Sequence, residues 1–306
     1  MEGSQVKTIT NQTGERKTKT LIVALLVMFL WGSLFPTVKL GYQAYGIQAT
    51  GDLLLFAGVR FTICGVAICL FSGIRQKENF RPVKGAIGPI LLSGLFAIIL
   101  HYACTYTALN LTDSSKTAIL KQVGALFYIC FSALFFEEDK LTARKLLGAV
   151  LGFAGIIAIN LSSVGVVFQA GDALIIAASF CSVFANIISK KVFKRVEPIT
   201  ATGVSQLFGG VVLLAAGLAM GGQMSITADR SALILLYICL ASTFGYCIWF
   251  TIVKNGELSK LFIIKFAEPV FASVCGAVLL GENIFRIQYL AAFVLIALGI
   301  CISQRR

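Results

Sequence analysis

Long apolar stretches, separated by short polar segments, make up almost the whole chain. Most stretches are close to the roughly 20 residues that an α-helix needs to cross the hydrocarbon core of a bilayer. The pattern therefore predicts ten transmembrane helices, called spans 1 to 10 here, and no connection long enough for a soluble domain. Their predicted bounds are residues 21–40, 53–73, 86–109, 114–136, 143–161, 171–192, 198–220, 231–253, 258–280 and 287–303. The predicted fold class is an all-α polytopic membrane protein.

The pattern occurs twice along the chain. Residues 115–138 align without gaps with residues 259–282, a shift of 144 that also brings Tyr102 onto Tyr246. Identical pairs under this shift include Ser115 and Ser259, Lys116 and Lys260, Lys121 and Lys265, Phe127 and Phe271, and Gly155 and Gly299. We therefore expect an N-terminal tail at 1–20 and two five-helix repeats at 21–161 and 171–303. Because five is odd, the second repeat must lie upside down. This arrangement is typical of secondary transporters, which bind substrate between their repeats.

Composition supports a membrane location, since 58% of the residues are hydrophobic and 13% are charged. The net charge of +12 does not indicate a nucleic-acid partner, because the basic residues concentrate in alternate connections. That placement follows the positive-inside rule and predicts that both termini are cytoplasmic, in an inner or plasma membrane. The nine cysteines all lie inside predicted spans without a CxxC pair, so no disulfide framework is expected.

Three basic residues lie inside the spans: Arg60, Lys121 and Lys265. A cation in hydrocarbon is costly and usually functional. The inversion brings Lys121 and Lys265 toward a shared central region from opposite sides, which favours an anion site. Glu268 lies one turn after Lys265, where it could neutralise that lysine, couple transport to protons or bind an ammonium group. Arg60 is expected to be structural and to pair either with Asp52 or with carbonyl groups at a helix end.

Further candidate residues are polar, aromatic or kink-forming. His101 could carry protons, although a lone histidine is more often a hydrogen-bonded packing residue. Four aromatic residues could line a cavity or pack between helices: Trp31, Tyr102, Tyr246 and Trp249. The polar Asn186 could also face the cavity or form a hydrogen bond between helices. Pro36 and Pro269 should kink spans 1 and 9, so they are candidate hinges for gating.

Four segments resemble the EamA-type members of the drug/metabolite transporter superfamily. They are FLWGSLFPTVKLG (29–41), VRFTICG (59–65), LYICLASTFGYCIWFTIVKNGELSK (236–260) and, most specifically, FAEPVFASVCGAVLLGE (266–282). The resemblance covers nearly the whole chain and implies a central cavity lined mainly by spans 1, 3, 4, 6, 8 and 9, with spans 5 and 10 peripheral. Related sugar-phosphate and nucleotide-sugar translocators hold phosphate with lysines on the corresponding helices. They commonly carry a second basic residue where this chain has Phe266.

The leading expectation is a secondary transporter of a small organic metabolite with an anionic group, working by alternating access. One alternative is an exporter of amino acids or of cationic or aromatic compounds that uses Glu268. Another is a non-transporting membrane sensor or assembly protein. No enzyme, cofactor or metal site is expected, since no nucleophile–base pair, carboxylate dyad or metal-ligand spacing occurs. Expected partners are the substrate, membrane lipid and, through Glu268 or His101, protons, but not nucleic acid. The unit would be a monomer or a homodimer.

Overall fold

The computed structural model describes residues 2–75, 81–109, 111, 120–160, 168–225, 230–281, 284 and 287–305. It describes the side chains of these residues except at 2–17, 81–83, 109, 159, 160 and 230. Throughout this part of the chain the elements are helices. Such a structure suits a bilayer, where each helix satisfies its own backbone hydrogen bonds.

The helices follow the predicted spans in order. Span 1 is Glu2–Tyr45, span 2 is Thr50–Arg75, and span 3 consists of Arg81–Gly94, a π-helical segment Leu95–Leu100 and His101–Leu109. Span 4 is Val123–Phe131 with a 3₁₀ turn Ser132–Leu134, span 5 is Ala143–Asn160, span 6 is Ala170–Val192 and span 7 is Pro198–Ala219. Span 8 is Arg230–Asn255, span 9 is Leu258–Ile264, a 3₁₀ turn Lys265–Ala267 and Glu268–Leu280, and span 10 is Ile287–Gln304.

Eight of the described helices are long and apolar enough to cross a membrane. In the predicted position of span 4 the described residues form a shorter apolar helix, Val123–Leu134. The predicted start of that span, residues 114–119, lies outside the described residues, as does Glu282. The helix of span 1 begins at Glu2, so it includes the segment that the sequence assigned to an N-terminal tail. The polytopic all-α fold class is confirmed, and the expected number of spans agrees approximately.

Spans 2 and 7, which are equivalent in the two repeats, pack tightly against each other. Glycines recur on both at seven-residue intervals: Gly51, Gly58 and Gly65 on span 2, and Gly203, Gly210 and Gly217 on span 7. A Cβ added at Gly58 or Gly65 would lie 2.3 Å from a backbone nitrogen of span 7. Since Gly51 lies beside Gly222 while Gly65 lies beside Leu207, the two helices run antiparallel. Small residues allow such close backbone contact in membranes.

Spans 5 and 10, a second equivalent pair with extensive contact, also run antiparallel. Gly148 lies against Gly299 and Ser303, and Gly155 lies against Ile296. Both helices also present exposed apolar side chains on their outer sides, for example Leu147 and Leu298. Their position is peripheral, as the family resemblance implied. In both pairs the equivalent helices run antiparallel, which is the direction that inverted repeats predict.

Two apolar clusters fill the described interior. One contains Phe193, Phe250 and Leu258, near the end of the bundle where Lys140, Arg144, Lys145, Glu257, Lys260 and Arg305 lie; this end is called the basic face. The other contains Tyr45 and Leu53, toward the opposite face. Trp31 and Tyr246 pack against both clusters. They therefore mark the middle of the bundle, where the candidate site lies.

Candidate functional site

The centre of the site lies where spans 3 and 8 meet. The hydroxyl oxygens of Tyr102 and Tyr246 are 3.3 Å apart. The ring of Trp31, from span 1, lies 5.4 Å from that of Tyr246 and 5.3 Å from that of Trp249. Phe61 approaches Tyr102 from span 2 at 4.7 Å between ring centroids. Four spans thus contribute to one aromatic wall.

Lys265 points its ammonium group at this wall. Its Nζ lies 5.7 Å from the ring centroids of both Trp31 and Trp249 and 5.5 Å from that of Phe262. Such cation–π contacts stabilise an ammonium group that lacks water. Span 9 leaves α-helical geometry here, because Pro269 follows closely and offers no backbone N–H. The α-helix of span 1 continues through Pro36. Neither proline's role in gating is tested, so both remain predictions.

Glu268 is paired with Lys121 rather than with its neighbour Lys265. Lys121 Nζ lies 3.9 Å from Glu268 Oε1, with side-chain exposures of 22% and 10%. The same ammonium group lies 4.6 Å from the ring centroid of Phe35. Neutralisation of Lys265 by Glu268 was one of three alternatives for this carboxylate. Among the described residues the two do not form an ion pair, and aromatic rings surround the Lys265 ammonium group instead. The long Lys121–Glu268 contact joins the two repeats.

Asn186 and His101 both make hydrogen bonds. Asn186 Oδ1 accepts from Trp249 Nε1 at 2.8 Å, which fixes the indole ring. His101 Nδ1 lies 2.8 Å from the Ala178 carbonyl oxygen. Because a carbonyl oxygen only accepts, Nδ1 must carry the proton and donate. His101 therefore joins spans 3 and 6, as a packing histidine does.

Trp31 depends on a glycine of span 8. A Cβ added at Gly245 would lie 2.5 Å from Trp31 Nε1. That indole nitrogen is buried and has no hydrogen-bond partner within the described part of the chain. The shift of 144 residues places Gly245 where the first repeat has His101. This buried donor lies near Lys265, whose Nζ is 5.7 Å from a ring centroid of Trp31.

Arg60 does not pair with Asp52, one of the two partners that the sequence suggested. Asp52 instead accepts backbone N–H groups, at 3.0 Å from Ala49 and 2.7 Å from Gln223, because it caps the start of span 2. Arg60 is only 3% exposed, and its Nε donates to Ser242 Oγ at 2.8 Å. Its guanidinium carbon lies 4.8 Å from the ring centroid of Phe61 and 5.9 Å from that of Tyr102. The sequence feature that indicated a buried position near the middle of the bundle was the location of Arg60 inside an apolar span.

A buried polar network, called the latch here, joins the repeats at the basic face. It consists of Tyr128, Asp139, Lys145, Glu257 and Ser259. Asp139 is fully buried and accepts from Lys145 Nζ at 2.7 Å and Tyr128 Oη at 3.0 Å. Ser259 donates its backbone N–H to Asp139 at 2.9 Å and its hydroxyl to the other carboxylate oxygen. Lys145 also lies 3.0 Å from Glu257.

Sequence reasoning missed the latch. Its signal was asymmetry: the counterparts of Asp139 and Lys145 under the 144-residue shift are Asn283 and Tyr289, so the charged pair occurs in one repeat only. Burial would raise the pKa of Asp139, but hydrogen bonds from Lys145 and Ser259 outweigh burial and hold that pKa below its ordinary value. Burial likewise opposes ionisation of Glu257, and hydrogen bonds from Lys260 and Lys145 lower its pKa. Both carboxylates are ionised at neutral pH.

In the residues that the structure describes, no group of three or more His, Cys, Asp or Glu side chains could hold a metal ion. The central chemistry consists of two ammonium groups, one carboxylate, tyrosine hydroxyls and aromatic faces. These groups can bind and orient a small polar or aromatic molecule.

Two inverted sets of apolar helices around such a polar centre define a polytopic membrane transporter built from repeats. The EamA-like transporter family model matches residues 18–161 and again residues 169–304. The chain belongs to this family.

Relatives and a solved structure agree with this assignment. An uncharacterized inner membrane transporter of Escherichia coli K12 is 25% identical over 295 residues, covering 93% of this chain and 92% of the relative. A probable amino-acid metabolite efflux pump of the same organism is 27% identical over 295 residues, covering 92% and 93%. One solved structure aligns with a TM-score of 0.76 at 19% identity, covering 94% of this chain and 96% of that one, so it supports the fold.

Proposed function

We propose that the protein is a secondary transporter that moves a small organic metabolite with an anionic group by alternating access. The observation that carries the proposal is the convergence of Lys121, Lys265 and Glu268 on the junction between the repeats. Two ammonium groups and one carboxylate leave an excess positive charge. Charges this deep in a membrane protein mark substrate or ion pathways.

The best-fitting anionic substrate is zwitterionic, like an amino acid. At 3.9 Å, Lys121 and Glu268 form a loose pair that a ligand carboxylate and ammonium group can replace. Trp31, whose buried N–H has no partner among the described residues, and Trp249 supply the aromatic wall for the rest of the molecule. The relative named as a probable amino-acid metabolite efflux pump supports this class.

A second candidate is the export of cationic or aromatic compounds through Glu268. The partly exposed Phe35 beside Lys121, together with the aromatic wall, favours it. In that case Glu268 binds the cation, and the two lysines are dispensable. Glu268 is also the first candidate for proton coupling, because His101 is engaged with the Ala178 carbonyl.

The latch supports alternating access. It closes the basic face, which we assign to the cytoplasm on the positive-inside rule. Lys121 and Phe35 remain partly exposed in this same structure. We assign the structure to the state closed toward the cytoplasm, and inward opening requires the latch to break.

Transport into liposomes tests the proposal. Purified wild type, Lys121→Gln, Lys265→Gln and Glu268→Gln would be reconstituted with panels of amino acids, carboxylates, phosphorylated metabolites and organic cations. Lys254→Gln is the matched control, since Lys254 is exposed at the end of span 8. We expect the two central lysine variants to lose transport of an anionic or zwitterionic substrate while the control keeps it.

Other outcomes of the transport assay would support a different function. Loss in Glu268→Gln alone, with transport of a cation, would establish the second candidate. Full transport in both lysine variants would rule out the anion site. A wild type that binds panel compounds in a thermal-stability screen, yet moves none, would favour a sensor or assembly role.

A further inference from the structure

A cleft of about 510 Å³ opens on the basic face, outside the central site. It lies between the connection of spans 4 and 5, the connection of spans 8 and 9, and the end of span 10. Its size falls within the roughly 300–1,000 Å³ of small-ligand sites. Five cationic side chains line it: Lys140, Arg144, Lys145, Lys260 and Arg305.

Two of these five cationic groups already form ion pairs with a carboxylate of the protein. Lys145 and Lys260 both pair with Glu257, at 3.0 Å and 2.9 Å. Glu138, another lining residue, pairs with Lys190 at 3.6 Å.

The remaining charge is predominantly positive. Lys140, Arg144 and Arg305 are exposed and form no ion pair with any residue that the structure describes. Among the described residues that line the cleft, the only other carboxylate is that of Glu137. The cleft therefore favours an anion, and Arg144 and Arg305 have guanidinium groups that suit phosphate.

The surroundings of the cleft favour a lipid over a soluble anion. Spans 5 and 10 are peripheral, and Leu146, Leu147 and Val150 follow Arg144 along span 5 with exposed side chains. On span 10, the exposed Leu298 and Cys301 precede Arg305. Acyl chains can lie against these apolar side chains while a headgroup enters the cleft. Basic pockets at the membrane surface hold anionic headgroups in this way.

We propose that this cleft binds the phosphate headgroup of an anionic phospholipid. The headgroup contacts Lys140, Arg144 and Arg305. Binding of this headgroup does not depend on the proposed transport cycle.

Melting temperatures in lipid nanodiscs test the proposal. Discs of phosphatidylcholine would be compared with discs that also contain phosphatidylglycerol, for wild type and for the double variant Lys140→Gln/Arg144→Gln. The control is Lys194→Gln/Arg195→Gln, which removes the same charge from exposed positions on the same face, next to the helix that bears Lys190. Nanodiscs expose both faces, so the result does not depend on orientation or on transport.

We expect phosphatidylglycerol to raise the melting temperature of wild type and control by a few degrees, as ligand binding to the folded state does. The cleft double variant should lose this increase. Equal loss in both double variants would show general surface attraction and would overturn the proposal, as would an undiminished increase in the cleft variant. If that variant does not fold, Arg305→Gln at the chain end should lose part of the increase, and an unchanged increase there would overturn the proposal.

A second set of melting measurements distinguishes binding of a lipid headgroup from binding of a free phosphate ion. Inorganic phosphate and glycerol phosphate would be added to wild type in phosphatidylcholine discs. We expect neither to stabilise the protein as phosphatidylglycerol does. Equal stabilisation by the free anions would show a soluble-anion site and would overturn the assignment to lipid.

Discussion

Tyr102 and Tyr246 lie 144 residues apart in the chain, and their hydroxyl oxygens are 3.3 Å apart. The same number of residues relates the two repeats, so these tyrosines hold equivalent positions. Equivalent residues of two inverted copies can touch only near the axis that relates the copies. The axis therefore passes between spans 3 and 8, beside Trp31 and Lys265. A site on this axis contacts both repeats at once, as alternating access requires.

The tyrosine pair should behave as a single interaction. We expect Tyr102→Phe and Tyr246→Phe each to lower the free energy of unfolding by about 0.5–1.5 kcal/mol, because each leaves the other hydroxyl without this partner. The double variant should cost little more than either single variant. A double-mutant cycle in detergent would measure the coupling. Losses that simply add would show that the two hydroxyls do not interact.

Part of this arrangement was predictable from the sequence. The repeat and the apolar spans required two inverted copies, and the matched positions of Lys121 and Lys265 indicated a shared centre. Partners were harder to assign, because helices that are apolar on every side do not reveal which side faces inward. Glu268 was therefore expected beside Lys265, although it pairs with Lys121 in the other repeat.

The contacts within the latch could not be assigned from the sequence for a related reason. Asp139 contacts Ser259, a residue 120 positions later in the chain, and neither residue carries a motif that indicates the other. Arg60 and Ser242 are similarly distant, at 182 positions. Such contacts depend on the rotation and depth of each helix, which the apolar pattern of the spans does not specify.

Breaking the latch should open the basic face. In Asp139→Asn the buried Lys145 loses one of its two carboxylate partners, and removing half of a buried ion pair typically costs about 3–5 kcal/mol. We expect a smaller loss here because Glu257 remains 3.0 Å from Lys145. Hydrogen exchange would be measured at the Ser259 amide, which donates to Asp139. Exchange there should become faster.

A matched control separates opening from general destabilisation. Asp172 is equally buried and caps the start of span 6, accepting the Gln169 backbone N–H at 2.9 Å. Asp172→Asn should destabilise the protein without accelerating exchange at Ser259. Similar acceleration in both variants would mean that Asp139 contributes only to overall stability.

The stabilising contacts of Asp139 in the latch should persist at all but strongly acidic pH. The pKa of Asp139 is lowered in the folded protein, so its stabilising effect is complete above the ordinary aspartate pKa of about 4. It is lost as the pH falls through the lowered value. The difference in melting temperature between wild type and Asp139→Asn should therefore stay constant from about pH 8 to pH 5 and shrink only below about pH 4. A difference that already shrinks near neutral pH would show a raised pKa instead.

The glycines between spans 2 and 7 should tolerate no side chain. A Cβ at Gly58 would lie 2.3 Å from the Leu214 backbone nitrogen, so the helices must separate. We expect Gly58→Ala to lower the melting temperature clearly. Gly88→Ala is the control, because a Cβ there meets nothing within 4 Å and alanine favours a helix by about 1 kcal/mol. An equal effect of both substitutions on thermal unfolding would contradict close packing at Gly58.

Gly245 offers a way to disturb the central site without changing a charge. In Gly245→Ala the new Cβ would lie 2.5 Å from Trp31 Nε1, and the indole ring must move away from span 8. Because Lys265 rests against Trp31 at 5.7 Å, its ammonium group should move with the ring. We expect weaker substrate binding in a thermal-stability titration and slower transport in liposomes, with a melting temperature close to that of wild type. Trp31→Phe removes the same indole N–H and should weaken binding in the same direction. Normal binding in both variants would place the substrate away from Trp31, on the Lys121 and Phe35 side of the bundle.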